Sequence, residues 1–395
     1  MTVAARRLAD ALLLLLAASV PLSTTGMEAA VLALGGLTLL GAAGGRAPVR
    51  ATPLDGVLGL FYGTLALSTL ASGHPLEASG WARLWVVLTY FVVFWWLRDR
   101  RQAIRVVHVL VGAGALAAAY GLLQHATGVD WYRAALGRPL LVRPRETGGV
   151  GYAIVGFFRN YLTFAHTMLF PLAWATASAM GGALAGLGAA ALLLLAIAFS
   201  TARGVWLATI AVVATLVLMA RGRTAGLAAG ALAAAALLAF AGSRDLRREA
   251  AHMFGLRGPN AGRVAIYAAN LDIIQAHPVF GLGFGRYQRA ALPYYAAHPE
   301  ADRRSHAHND YLQVAAEVGL TGLAAFGLLF ATALRHGWTA IAEAPDAVTR
   351  ATAAGAWAGL VGFLVGGVTQ YNFGDNEVAI AMWVALAVLM RLREP

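Results

Sequence analysis

Residues 183–220 read ALAGLGAAALLLLAIAFSTARGVWLATIAVVATLVLMA, and Arg203 is the one charged side chain among them. A membrane-spanning helix needs about 20 mostly apolar residues. The stretch therefore holds two spans, 183–199 and 204–220, with Ser200 to Arg203 as the turn between them. Carried along the chain, the same reading places further apolar segments at 8–24, 27–45, 54–72, 81–97, 104–123, 161–179, 225–242, 313–334, 351–371 and 376–391. The sequence predicts an all-α polytopic membrane protein with about twelve transmembrane helices.

Composition points the same way. Of the 395 residues, 59% are hydrophobic and 12% charged, and the mean hydropathy is +0.66. A soluble chain is about 45–50% apolar and about 25% charged, so a water-soluble enzyme of two or three domains is excluded. The absence of Cys removes disulfides, thiolate nucleophiles, Fe–S clusters and Cys-type zinc sites. All 30 basic residues are Arg, which excludes Schiff-base and P-loop lysine chemistry. A pI near 10.5 fits either nucleic-acid binding or Arg-rich cytoplasmic loops. In a membrane protein the second reading is preferred, and no nucleic-acid partner is expected.

Orientation follows from the short loops. Arg6, Arg7, Arg46, Arg50, Arg98, Arg100, Arg101, Arg105, Arg221, Arg223, Arg335, Arg350, Arg391 and Arg393 fall on one side when twelve segments are threaded. The positive-inside rule makes that side cytoplasmic, with both termini inside. Arg6 and Arg7 before a leucine run echo a signal peptide, but no A-x-A site follows, and the segment reads as a membrane anchor. Two long segments, 124–160 and 243–312, lie on the opposite side. No repeat or linker interrupts residues 1–395, which read as a single integral membrane domain.

Arg203 is the charge that stands out, because almost no loop separates its two flanking spans. A charge at membrane depth is costly and usually faces a partner or cavity. Arg203 either snorkels to the outer interface or binds phosphate through its planar, always-charged fork; the second reading is preferred. The segment 243–312 holds nine Arg and five His. Within it, Gly262 to His277 reads as an amphipathic helix with Val264, Tyr267, Leu271 and Ile274 on one face. Arg263 lies in its first turn, beside backbone N–H groups that favour an anion; the competing reading is a solvated surface charge. His277-Pro278 ends the helix. The following Gly281-Leu282-Gly283-Phe284-Gly285-Arg286 lacks the strand–turn–helix context of a dinucleotide-binding loop and reads as a tight turn presenting Arg286.

The third feature is Ser305-His306-Ala307-His308-Asn309-Asp310-Tyr311-Leu312-Gln313. Ser305 is expected to N-cap a helix that continues into the tenth span, with His308 one turn inside it. His306 and His308 would then point about 200° apart on the helix. Histidine serves as a general base near neutral pH. A structural histidine, an interfacial polar cap and a metal ligand are the competing readings. The last is disfavoured, because Asp302 and Asp310 add no recognised ligand spacing and no Cys exists.

At this point the residues resemble a known family. His308-Asn309-x-x-Leu312 followed by Glu317-x-Gly319 is similar to the H-N-x-x-L…E-x-G signature of the O-antigen ligase/polymerase superfamily. Thr201-Ala202-Arg203-Gly204 resembles its S-x-R-G element, and Gly262-Arg263-x-x-Ile266-Tyr267 its G-R-x-x-I-[WY] element. Pro278-x-x-Gly281-x-Gly283 resembles its P-x-x-G-x-G turn. The matches occur in the family's order and cover about 200–320 closely.

The resemblance implies a bacterial polysaccharide ligase, a membrane glycosyltransferase of the GT-C type in the inner membrane, with its site on the periplasmic side. Its donor would be an undecaprenyl diphosphate-linked glycan, its acceptor lipid A–core oligosaccharide, and it would use no cofactor and no metal. By that similarity His308 would be the catalytic histidine, and Arg203 and Arg263 would hold the donor diphosphate. Arg286, His306, Asn309 and Tyr311 are further candidates for substrate binding. A single displacement would invert the anomeric centre. A polymerase that extends a second lipid-linked repeat shares the signature and stays open. A lipid-linked glycan transporter is disfavoured, since the spans carry essentially no central acidic residue.

Overall fold

The computed structural model describes residues 3–45, 47–74, 79–138, 152, 154–220, 222–251, 253, 261–301 and 306–394. Arg46, Arg221, Asp302 and Ser305, and much of the 124–160 segment, lie outside them. Among the described residues the regular elements are helical, and each of the twelve apolar segments is helical over most of its length. The first are α1 (Val3–Leu22), α2 (Thr24–Ala43) and α3 (Asp55–Ala71). A 3-10 helix (Ser79–Val87) then leads into α4 (Leu88–Trp96) and α5 (Arg100–Thr127). After the short α6 (Trp131–Ala135) come α7 (Tyr161–Met180), α8 (Leu184–Phe199), α9 (Arg203–Met219) and α10 (Arg223–Gly242). The long connection carries α11 (Arg244–Ala251), α12 (Ala261–Ala276), α13 (Tyr287–Ala290) and α14 (Leu292–Ala296). The chain ends with α15 (Asp310–Ala342), α16 (Ala347–Gly366) and α17 (Asn376–Arg393).

Two helices form the centre of the bundle. α17 buries every residue from Val378 to Leu392, and α7 every residue from Thr163 to Ala177. A helix that is apolar all round has to be enclosed. The surrounding helices do the reverse. Leu32, Leu39 and Leu40 of α2, Ile210 and Leu218 of α9, and Leu227, Leu237 and Leu238 of α10 point their side chains outward. Outward leucines suit a hydrocarbon solvent, in which the backbone polar groups must be satisfied within each helix. α2, α5, α10, α15 and α16 are long and apolar enough to cross a membrane, and four further apolar helices are shorter. The protein is multi-pass.

α16 lies against α7 and α9 through glycines. Gly355, Gly359, Gly362 and Gly366 repeat at intervals of four, three and four. A Cβ on Gly355 would lie 2.5 Å from Trp174 Cδ1, one on Gly359 3.0 Å from Phe170 Cδ1, and one on Gly362 2.5 Å from Val212 Cγ2. Small residues let backbones approach where no hydrophobic effect drives helices together in lipid. The Trp174 indole N–H donates to Thr352 O at 3.0 Å across the same seam.

Contacts between helix ends sort into two sets that alternate along the chain. At one end Thr24 donates to Glu377 (3.2 Å), Thr163 donates to Asp375 (2.6 Å), and Asp310 N–H donates to Gly367 O (2.7 Å). At the other end Arg98 pairs with Asp10 (2.5 Å), Arg50 donates to Phe94 O (3.1 Å), and Arg391 Nε donates to Leu97 O (2.9 Å). Arg50, Arg98 and Arg391, three arginines of the short loops, belong to this second end.

Several expectations need correction. The 81–97 segment opens as a 3-10 helix rather than an α-helix. The eleventh helix stops at Gly366, so 367–371 belongs to a connecting segment that runs to α17. α12 forms where expected, but its buried residues are Ile266, Ala269, Asn270 and Ile273, while Val264 and Leu271 are exposed. α12 carries apolar residues at helical spacing on two faces, and periodicity alone does not choose between them.

Gly355→Ala is expected to lower the unfolding temperature in detergent through overpacking worth about 1–3 kcal/mol. Gly35→Ala, where nothing lies within 4 Å of the new Cβ, should leave it unchanged. Equal melting of the two variants would remove the glycine seam as a packing determinant.

Candidate functional site

The site begins with a break in α15. Gly319 adopts φ 84° and ψ 178°, so the helix consists of Asp310–Val318 and a second run that starts at Leu320. In a straight helix Tyr311 and Phe326 would stand about 22 Å apart; their rings are 6.1 Å apart. The first segment therefore folds back over the second. The turn 278–283 fills the break. Leu320 N donates to Pro278 O (2.7 Å), Leu282 N to Ala316 O (2.9 Å) and Gly283 N to Glu317 O (3.0 Å). A Cβ on Gly281 would lie 2.7 Å from Ala316 O, and one on Gly319 would lie 2.6 Å from Phe280 N. Backbone meets backbone here, and only glycine leaves room. The spacing of Pro278, Gly281 and Gly283 against Glu317 and Gly319 is thus a docking joint. Glu317 fastens it further by accepting from Gly285 N (2.6 Å) and from the Gln313 amide (3.0 Å).

Asn309, not Ser305, caps α15: its side-chain oxygen accepts from Leu312 N at 2.9 Å. His308 therefore precedes the helix, where its backbone has φ 51°. Left-handed backbone in a residue with a Cβ is strained by about 1–3 kcal/mol, and neighbours hold it. His308 N donates to His306 Nδ1 at 3.2 Å. The Tyr267 hydroxyl lies 3.2 Å from His308 O and 3.0 Å from Val368 O, one donor shared by two carbonyls. The Asn309 amide donates to Val368 O at 2.8 Å. On the ring, His308 Nδ1 is 2.9 Å from Gln370 Oε1. An amide oxygen only accepts, so Nδ1 is the nitrogen that donates to it. The expectation that His306 and His308 point apart is wrong. Outside a helix the 100° step per residue does not apply, and the two rings are 4.3 Å apart.

Arg203 opens α9, two residues after Thr201, which has φ 62°. Among the described residues Thr201 and His308 are the two non-glycine positions with positive φ, and both belong to the segments read as functional. Arg203 is half-buried, with Nε 3.9 Å from Glu249 Oε2 on α11. A Cβ on its neighbour Gly204 would lie 2.8 Å from Thr369 Cβ, so the start of α9 sits against the 366–370 segment that also carries Gln370. Arg263 is in the first turn of α12, as expected. Four residues on, Tyr267 shares its face and reaches His308 O and Val368 O. Burial pushes the Tyr267 phenol up, while the Arg263 charge and Asn309 pull it down. The phenol stays protonated near neutral pH and keeps its donor role.

The other candidates are placed differently. The Arg286 guanidinium donates to Ser72 O (3.3 Å), just past α3. Asn309 spends both ends of its amide on the cap and on Val368, and the Tyr311 hydroxyl donates to Leu364 O (2.8 Å). Among the described residues no group of three or more His, Cys, Asp or Glu is placed to hold a metal ion.

Sequence reasoning missed the 366–375 segment, which it assigned in part to a span. Its signal was the polar run Thr369-Gln370-Tyr371-Asn372 between two apolar helices. It also missed His166, buried in α7. There Nδ1 donates to Leu162 O (2.9 Å), and Nε2 has no hydrogen-bond partner. The Asn372 side chain is buried without a partner too, and a Cβ on Gly366 would lie 3.0 Å from its Nδ2 and 3.2 Å from His166 Nε2.

Comparison with known families finds that residues 188–327 match the model described as O-antigen ligase. The matched range runs from α8 past the Gly319 break and includes Arg203, Arg263 and His308. It supports the O-antigen ligase/polymerase superfamily that the motifs resemble. No curated protein matches the chain.

Gly319→Ala should undock the 278–283 turn, because the new Cβ meets Val279 and Phe280 backbone atoms. Amide hydrogen exchange at Leu282 and Gly283 is expected to accelerate by more than tenfold, a change of about 1.4 kcal/mol in local opening. Unchanged protection there would mean that the joint does not hold the site.

Proposed function

Taking the O-antigen ligase match as premise, we propose that this protein is a GT-C type glycosyltransferase. It transfers a glycan from undecaprenyl diphosphate to lipid A–core oligosaccharide at the periplasmic face of the bacterial inner membrane. Twelve crossings with both termini cytoplasmic are part of the proposal, and the two alternating sets of end contacts support it. The observation that carries the reading is His308 itself. It is a strained residue whose ring is fixed through Nδ1 on Gln370 and lies against that of His306.

The chemistry follows from these parts. An acceptor hydroxyl gives its proton to His308 Nε2 as its oxygen bonds to the donor's anomeric carbon. The bond from that carbon to the diphosphate oxygen breaks, and the diphosphate leaves with the electron pair. Arg203 and Arg263 meet the growing charge; preorganised charge stabilisation is often the largest catalytic contribution. Glu249 holds Arg203 oriented through its Nε edge. One displacement inverts the anomeric centre, and no step calls for a metal. The polyprenyl tail stays in lipid while the sugar reaches the outer segment.

His308→Ala is expected to reduce transfer by about 10²–10⁴-fold with donor binding retained, and Gln370→Ala to lower kcat by less. Activity should survive EDTA. Arg203→Ala and Arg263→Ala should weaken donor binding, with Lys a poor substitute for the planar fork. The assay uses purified protein, lipid-linked glycan, and either lipid A–core or a second lipid-linked repeat. Near-normal turnover in His308→Ala, or loss to EDTA restored by Zn²⁺, would overturn the mechanism. Transfer to the second repeat alone would make the protein a polymerase.

A further inference from the structure

Two buried polar side chains meet beside the end of α16. His166 of α7 and Asn372 of the connection to α17 are each 1% exposed. His166 Nδ1 donates to Leu162 O (2.9 Å). Among the described residues its Nε2 has no hydrogen-bond partner, and neither has the Nδ2 or the Oδ1 of Asn372. The helices packed against α7 include α1, α5, α8, α9, α10, α16 and α17, each described along its whole length. Asn372 is not loose chain. Phe373 N donates to Asp310 Oδ1 (2.9 Å) and Asp375 N to Asn372 O (3.1 Å), so the backbone around it is fixed with the amide held inside. Gly366 lies between the two side chains. A Cβ there would lie 3.0 Å from Asn372 Nδ2 and 3.2 Å from His166 Nε2. The two nitrogens are therefore no more than about 6 Å apart, which one water spans with two hydrogen bonds of about 2.9 Å. Gly366 ends α16 and has no positive φ, so its backbone does not call for glycine. What the glycine provides is space beside both polar groups.

The hydrogen bonds still to be made define the occupant. A buried polar group without a partner costs stability, and folded proteins supply one from a water or a ligand. The Asn372 amide asks for an acceptor at Nδ2 and a donor at Oδ1. A phosphate oxygen only accepts and a metal ion only takes lone pairs, so neither serves both ends. Away from water the imidazole is neutral. With Nδ1 on Leu162 O, its Nε2 asks for a second donor. A sugar hydroxyl has one proton to give. Water has two, and a lone pair for the amide N–H.

We infer that His166, Asn372 and the bare Cα of Gly366 form a binding site for one water molecule, which pins the 366–375 segment to α7. α7 is enclosed at the centre of the bundle, whereas Gln370, two residues before Asn372, holds the His308 ring. The water is then a positioning element for Gln370, and through it for His308. That last step rests on the proposed transferase reading; the water site itself does not.

The test uses isotope-labelled, full-length protein in lipid bilayers and magic-angle-spinning NMR, with water itself as the probe. Magnetisation started on water protons is expected to reach the His166 ring and the Asn372 side-chain amide, although neither is at the surface. In Gly366→Ala, whose methyl takes the space, both transfers should be lost. No transfer to either group in the unaltered protein overturns the site. So does transfer that appears only once lipid-linked glycan is added, which would give the pair to a substrate hydroxyl. Melting of His166→Leu, Asn372→Leu and the double variant is an independent reading. One bridging water couples the two groups, so the double variant should melt no lower than the less stable single variant. Strictly additive losses overturn the bridge. Where a variant does not fold, transfer in the unaltered protein decides. Kinetics test the positioning step: Asn372→Leu should lower kcat by about tenfold, with KM for the lipid-linked donor within about twofold. An unchanged kcat overturns that step. If no acceptor supports transfer at all, the transferase reading fails, and the NMR result still decides the water site.

Discussion

At Gly319 the backbone leaves the helical region, and the carbonyl of Val279 and the amide of Phe280 occupy the space where a side chain would begin. The candidate site depends on that close approach. It lets Asp310–Val318 fold back until Asp310 N reaches Gly367 O and Tyr311 reaches Leu364 O and the ring of Phe326. Without the break, an unbent α15 would carry Asp310 away from the 366–375 segment. His308, whose ring is oriented by Gln370, would lose its partner.

The bundle beneath gives this joint something rigid to rest on. α7 and α17 are enclosed along nearly their whole length, and the α16 glycines bring its backbone against Trp174 and Phe170. In lipid that contact comes from van der Waals fit rather than from exclusion of water, so small residues do at the seam what large ones do in a soluble core. The end of α16 is thereby fixed, and so is the segment that leaves it. That segment meets the start of α9 through Thr369, His308 through Gln370, His306 through Tyr371, and Asp310 through Phe373. Ten residues thus tie together elements that are more than a hundred residues apart in the chain.

Electrostatics has the same economy. Arg203 is placed where its charge has a carboxylate, Glu249, to hold it; Arg263 stands at a helix start, where free N–H groups add to its field. A charge away from bulk water is costly unless a partner compensates it, and Arg203 has such a partner in Glu249. Two strained backbone positions, Thr201 and His308, mark the same places. Strain persists only where surroundings over-determine it, and at His308 those surroundings are the hydrogen bonds of Tyr267, His306 and Gln370.

Much of this was legible from the residues in order. Apolar runs determine helices, since a span's backbone must satisfy itself, and all twelve segments are helical; Arg203, Arg263 and the His308 region stood out as charge or imidazole where the pattern predicts neither. What sequence could not determine is which side chains meet across the fold. A capping serine and a capping asparagine look alike until the chain path is known, so Ser305 was expected where Asn309 acts. Helical phase put His306 and His308 on opposite sides, while the non-helical chain, left-handed at His308, brings their rings together. Gln370 had only the signal of a short polar run, and Glu249 and His166 had none, because such a side chain acquires its role from a partner distant in sequence. Local periodicity follows from backbone geometry, which every residue carries with it; partnership follows from packing, which only the tertiary structure decides.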